Sequence, residues 1–178
     1  MSLNDFLLQG AIKSPGANWG YANGTLIAKS GLIFFENPKN EYTISTNATM
    51  NSTSNGYGIS FDTKINSSGV DTGLIFQFDK GLNALVIRPR ISGNEKSAVA
   101  TVAMQNLPPN YWTTTHQVDL KVVNISPTQR KVQAFIDGST TPTLEYTYAN
   151  TIAPGDTLYA GLRGWTGETA FSTVEIKN

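Results

Sequence analysis

The sequence predicts an all-β protein: a two-sheet antiparallel sandwich of about a dozen strands. Three observations carry this. Apolar side chains recur at every second position in segment after segment, which sends one set inward and the other outward. Turn residues separate these segments at a spacing of roughly 8–15 residues. No segment of useful length has a helical period. So many short strands can hide their apolar faces only against one another.

Taken in order, Met1-Ser2-Leu3 reads as an expression leader, and residues 4–178 as a single domain. Asn4 to Gln9 fits an edge strand or the stub of an upstream helix. Ser14 to Gly20 reads as an irregular loop carrying Trp19, whose expected place is the core. Asn23-Gly24 is a hairpin-turn dipeptide. Thr25 to Lys29 follows, then Ser30-Gly31, then the apolar run Leu32-Ile33-Phe34-Phe35. Asn37-Pro38-Lys39-Asn40 breaks the chain before a strand from Tyr42 to about Met50.

The strongest alternation lies at the centre. Tyr57, Ile59 and Phe61 alternate with Gly58, Ser60 and Asp62; Leu74, Phe76 and Phe78 alternate with Gly73, Gln77 and Asp79, with Ile75 the apolar exception. Asn66-Ser67-Ser68-Gly69 joins the two runs as a turn. Leu82 to Arg90 puts Leu85 and Ile87 opposite Val86 and Arg88, and Pro89 ends regular pairing or marks an edge. Ser92 to Glu95 is a turn and Ala98 to Met104 a strand. Leu107 to Thr115 is the longest irregular stretch. Strands follow at His116–Ile125, Arg130–Ile136, Leu144–Tyr148, Leu158–Arg163 and Ala170–Ile176.

Composition removes several function classes. Formal net charge is zero and only 15% of residues are charged, so there is no basic field for nucleic acid or an anionic membrane surface. Cysteine is absent, which excludes disulfides, thiolate catalysis and zinc–sulfur sites. Asn, Thr and Ser make up 51 residues against 26 Lys, Arg, Asp and Glu, a hydroxyl-and-amide surface common in exported β proteins.

Two resemblances follow from motifs. His116-Gln117-Val118-Asp119-Leu120, Ala134-Phe135-Ile136-Asp137-Gly138, Gly161-Leu162-Arg163 and Phe171-Ser172-Thr173-Val174-Glu175-Ile176 resemble the concanavalin A-like (laminin-G-like) jelly rolls. More narrowly, Trp19, Asn23-Gly24, Glu41-Tyr42-Thr43-Ile44, Asp71-Thr72-Gly73, Gln77-Phe78-Asp79 and Ile87-Arg88-Pro89-Arg90 are similar to the globular heads of Gram-positive type IV pilin-like proteins. The second resemblance implies a cell-surface protein whose N-terminal membrane helix has been removed, with neighbouring pilus subunits as partners.

The first resemblance brings in β-glucanases, which need paired carboxylates from one strand; no Glu-x-Asp-x-Glu pattern exists, and no catalytic residue is assigned. His116, the single histidine, has no Gly-x-Ser-x-Gly elbow with it and reads as a surface or strand-end residue. Laminin-G-like domains often bind calcium at one rim, which makes Asp62, Asp71 and Asp79 its candidate ligands, with Asn83 able to contribute; turn capping by Asp71 and Asp79 is the competing reading. A glycan site needs exposed aromatic rings beside planar polar groups. The candidates are Tyr111 and Trp112 in the long loop, Trp165, and the outward residues Gln77, Arg88, Arg90 and Arg163. Alternatively Trp165 plugs an end of the sandwich, and Arg88 pairs with Asp79 or Asp62. The expectation is a non-catalytic extracellular module binding glycan or mediating surface assembly, with a glycoside hydrolase or lyase of the concanavalin-like glucanase type as the alternative.

Overall fold

The computed structural model describes residues 11–37 and 39–177. The readings made for residues 1–9 lie outside them. The described strands are β1 (Ile12–Lys13), β2 (Asn18–Ala22), β3 (Thr25–Glu36), β4 (Tyr42–Met50), β5 (Gly56–Ile65), β6 (Asp71–Asp79) and β7 (Ala84–Ile91). They continue with β8 (Asn94–Glu95), β9 (Ala100–Ala103), β10 (His116–Ser126), β11 (Gln129–Ile136), β12 (Leu144–Ala149), β13 (Tyr159–Gly164) and β14 (Thr169–Lys177). Every pairing between them is antiparallel. This is the expected jelly-roll sandwich.

One sheet, sheet A, runs β1, the second half of β3, β13, β5, β6 and β7, with β8 and β9 sharing the far edge of β7. The other, sheet B, runs β12, β11, β10, β4, β14, the first half of β3 and β2. Strand β3 therefore belongs to both. Its residues Leu26 to Ala28 pair with β14, and Gly31 to Glu36 pair with β13. The crossing falls at Gly31, where φ is +77° and a Cβ would stand 2.7 Å from the Ala17 backbone. The Ser30-Gly31 signal thus marks a corner inside one long strand. Trp19, expected in a loop, lies in β2, because this segment completes the edge of sheet B.

The core forms where the alternation places it. Tyr57, Ile59, Phe61, Phe76 and Phe78 from sheet A meet Ile44, Val118, Leu120, Val122 and Phe171 from sheet B, all nearly or fully buried. Each is worth about 1.5–3 kcal/mol relative to staying in water. Trp19 is buried and stacks on Phe171 at 5.8 Å. The unbroken run Leu32 to Phe35 and the exception at Ile75 share one explanation. Leu32, Phe34 and Ile75 pack together in a second cluster, joined by Ile12, Ile65 and Tyr159, so β3 and β6 bury apolar side chains on both faces there.

Candidate functional site: the concave face of sheet A

The register across β13, β5, β6 and β7 lays the outward side chains in rows. Arg163 lies beside Gly58, then Gln77, then Val86; Gly161 lies beside Ser60, then Ile75, then Arg88. Gly73 is paired with Arg90 in the next row of β6 and β7. Glycine at 58 is required: a Cβ would stand 2.8 Å from Ile75 Cδ1 and 2.9 Å from the Phe76 carbonyl. At Gly56, where φ is +154°, a Cβ would stand 2.7 Å from the Trp165 ring. The sheet is thus bare where Trp165 and Arg163 lie across it.

Five polar side chains converge above this floor. Gln77 Nε2 donates to Glu95 Oε1 at 2.5 Å, and Arg88 Nε donates to Gln77 Oε1 at 3.0 Å. Glu95 also pairs with Arg163, and with Arg90 at 3.5 Å. Arg90 is fixed from the other side by both oxygens of Asp71, at 2.5 and 3.0 Å, and by the Gly93 carbonyl at 2.8 Å. The Arg163 guanidinium lies 4.5 Å over the Trp165 ring, a cation–π contact. Burial and the neighbouring charge of Arg90 draw Arg163 down to about 10.

The Glu95–Arg163 contact also fixes the curvature. Strands β8 and β13 are four steps apart in the sheet, about 19 Å if it were flat. That exceeds what a glutamate and an arginine can bridge, so the face curls inward and is concave. Trp165, Arg163 and Arg88 are partly exposed on it and Gln77 is buried beneath them.

Five of the seven expected glycan-site residues are therefore brought together: Gln77, Arg88, Arg90, Arg163 and Trp165. Arg88 pairs with Gln77 and the Lys96 carbonyl, not with Asp79 or Asp62, because those carboxylates face other partners. Tyr111 and Trp112 lie elsewhere, in a short 3-10 turn (Tyr111–Thr113) that closes one end of the sandwich. Tyr111 stacks on Phe78 at 5.8 Å, Trp112 meets the same ring edge-on at 5.0 Å, and the Trp112 indole N–H donates to Asn83 at 3.1 Å. His116 is buried in this end cluster, not at the surface. Its two ring nitrogens lie 2.8 Å from Asp137 and 2.7 Å from the Tyr111 carbonyl. Sequence reasoning missed Glu95, which read only as part of a turn. The signal for it is the Arg88-x-Arg90 pair on one strand face, followed across a tight turn by the next carboxylate.

The three expected calcium ligands do not meet. Asp71 and Asp79 begin and end β6, eight residues or about 26 Å apart. Asp71 is held by Arg90, and Asp79 accepts from the Leu82 N–H at 2.9 Å as a turn cap. Asp62 is buried at the sheet interface. It accepts from Arg130 Nε at 2.6 Å, from the Tyr148 hydroxyl at 2.6 Å and from the Tyr42 hydroxyl at 2.8 Å. Among the described residues no group of three acidic or histidine side chains is placed to hold a metal ion. A calcium site built from these three does not fit.

No family model and no curated protein matches the sequence. Solved structures do. The chain is similar to the carbohydrate-binding module CBM66 from Bacillus subtilis, at 12% identity and TM-score 0.63 over 92% of each chain. It is also similar to the exoplasmic/lumenal domain of VIP36 in its Ca2+/Man-bound form, at 7% identity and TM-score 0.58 over 90% of this chain and 80% of that one. A third likeness is to the Caenorhabditis elegans galectin LEC-6, at 10% identity and TM-score 0.55 over 91% and 96%. At these identities the likeness is one of fold: a concanavalin A-like jelly roll, in an architecture that carbohydrate-binding modules and lectins also use.

Proposed function

We propose that the protein is a non-catalytic glycan-binding module working outside the cell, and that sugar docks on the concave face of sheet A. The observation that carries this is the rigid array of Gln77, Arg88, Arg90, Glu95 and Arg163 beside a partly exposed Trp165. Guanidinium N–H groups donate to sugar hydroxyls, and the Glu95 carboxylate accepts from them. The exposed part of the Trp165 ring offers an apolar surface to the C–H face of a pyranose or furanose. Because the side chains already hold one another, a ligand orders little on binding, and less of its interaction energy is lost.

The same contacts argue against hydrolysis. Glycosidases need two carboxyl groups flanking one bond, one of them able to protonate the leaving oxygen. Both Asp71 oxygens are taken by Arg90, and Glu95 lies against Arg163, Arg90 and Gln77. Glycan docking is also favoured over subunit assembly. The exposed large apolar residues among those described, Tyr21, Leu82, Ile91, Val99 and Ile125, are scattered over several elements. The hydroxyl-and-amide composition and the fold likeness to a lumenal lectin domain support display outside the cytoplasm.

Glycan-array and affinity-gel binding of wild type, Arg163→Ala, Trp165→Ala and Trp112→Ala test the proposal. Wild type is expected to bind at least one neutral glycan. Arg163→Ala and Trp165→Ala should each lose binding by tenfold or more while melting near wild type, and Trp112→Ala should keep it. Binding lost through Trp112 but not through Trp165, or no glycan bound at all, would refute the site.

A further inference from the structure

A second region with a recess of ligand size is separate from the concave face. At the opposite end of β10 from His116, an open recess of about 590 Å³ lies between Asn40, the β10–β11 turn and the segment from Asn150 to Pro154. Small-molecule pockets occupy roughly 300–1,000 Å³. Its wall includes Arg130, only 1% exposed.

That arginine is clamped. Nε and Nη2 donate to the two oxygens of Asp62 at 2.6 and 3.1 Å, Nη1 to the Asn124 side-chain oxygen at 2.7 Å, and Nη2 to the Asn40 carbonyl at 2.7 Å. A guanidinium carries five N–H groups. Asp62, Asn124 and Asn40 meet four of these, and the Tyr148 hydroxyl also lies against the guanidinium. Asn124 commits its side-chain oxygen to Arg130, and its amide carries two further N–H donors on the lining of the recess, where Asn40 also lies. Pro127, Ile152 and Pro154 provide apolar surface.

Backbone geometry points the same way. Asp62 has φ +45° at a bulge in the middle of β5, a conformation costing on the order of 1–3 kcal/mol. Such strain collects where a fold is holding a group in place. What it holds is the carboxylate that fixes Arg130. A buried ion pair contributes no more stability than well-packed apolar residues of equal volume. The pair and its neighbours fix the orientation of Arg130 beside the recess.

We propose that this recess is a second binding site and that it takes a neutral sugar of one or two rings. Hydroxyl oxygens accept from the Asn124 amide, which Arg130 holds in place, and C–H faces rest on Pro127, Ile152 and Pro154. An anion would meet a guanidinium already neutralised by Asp62, and a cation would find that carboxylate fully engaged by Arg130, Tyr42 and Tyr148.

The test is backbone amide shift mapping of the 15N-labelled chain with glucose, galactose, mannose and fructose, and with glucuronate as a charged control. At least one neutral sugar should move the Asn124, Ser126 and Ile152 amides saturably, with a Kd of roughly 1 mM or tighter, and glucuronate should not. Ser126→Trp, which fills the mouth, should weaken this by tenfold or more; Asn124→Ala, at an exposed position, should weaken it several-fold if Ser126→Trp does not fold. Trp165→Ala should leave it unchanged. No shift here with any neutral sugar, or a shift that Trp165→Ala removes, overturns the inference. Shifts near Arg163 and Trp165 without shifts here overturn only this inference; the reverse leaves it standing and leaves the concave-face reading to the glycan array.

Discussion

Replacing Asp62 with Asn perturbs an interior carboxylate that accepts four hydrogen bonds. Asparagine tolerates positive φ nearly as well as aspartate and keeps its shape, so the backbone contribution largely cancels and the lost charge remains. Arg130, at 1% exposure, is left without a counter-charge. The amide also turns one of two acceptor oxygens into a donor facing the Tyr148 or Tyr42 hydroxyl or the guanidinium. Breaking a buried pair by removing one partner costs about 3–5 kcal/mol. For a domain of this size that corresponds to a fall in Tm of roughly 6–20 °C. Thermal melts followed by near-UV circular dichroism at neutral pH measure it. A fall of less than about 1 kcal/mol would mean that solvent already screens Arg130, and the buried-network account would be wrong.

Alkaline titration should destabilise the fold. Burial holds the phenols of Tyr42 and Tyr57 well above the usual range, and burial with the nearby Asp62 does the same for Tyr148. A raised folded-state value means stability intact below pH 10 and lost above it, by about 1.4 kcal/mol per pH unit for each phenol. Arg163, drawn down to about 10, works the opposite way above that pH, so denaturant midpoints should still fall steadily; a flat profile from pH 9 to 11.5 would contradict the burial. Trp112→Ala should lower stability by about 1–3 kcal/mol in chemical denaturation, since it removes a half-buried ring from Phe78 and a hydrogen bond to Asn83; an unchanged midpoint would detach the 3-10 turn from the core. Calcium and EDTA should leave Tm where it is, because a ligand that binds only the folded state must raise it and Asp62, Asp71 and Asp79 do not converge; a calcium-dependent rise would require other ligands.

The alternation at Tyr57–Phe61 and Leu74–Phe78 was sufficient to read both the hairpin and the core, because period-2 patterning maps directly onto the two faces of a sheet. The same logic brought Gln77, Arg88, Arg90 and Arg163 to one face. Curvature was not legible, and without it Glu95 and Arg163, 68 positions apart, gave no sign of touching. Asp62 and Arg130 are likewise 68 positions apart and lie on different sheets, and nothing local marks the bulge that turns Asp62 inward. Tyr111 and Trp112 resembled binding aromatics, yet an open sandwich end needs large rings for the same physical reason that a sugar does: both present apolar surface that must be covered. Ser30-Gly31 looked like a turn because a strand that changes sheets uses the same glycine freedom.

The central claim is that the concave face of sheet A is where glycan docks. Hydrogen–deuterium exchange of the full chain, with and without the neutral glycan bound best on the array, tests it most directly. Slower exchange is predicted at residues 93–96 and 163–167. Protection confined to the outward face of sheet B, at residues 43–49 and 117–121, would contradict it.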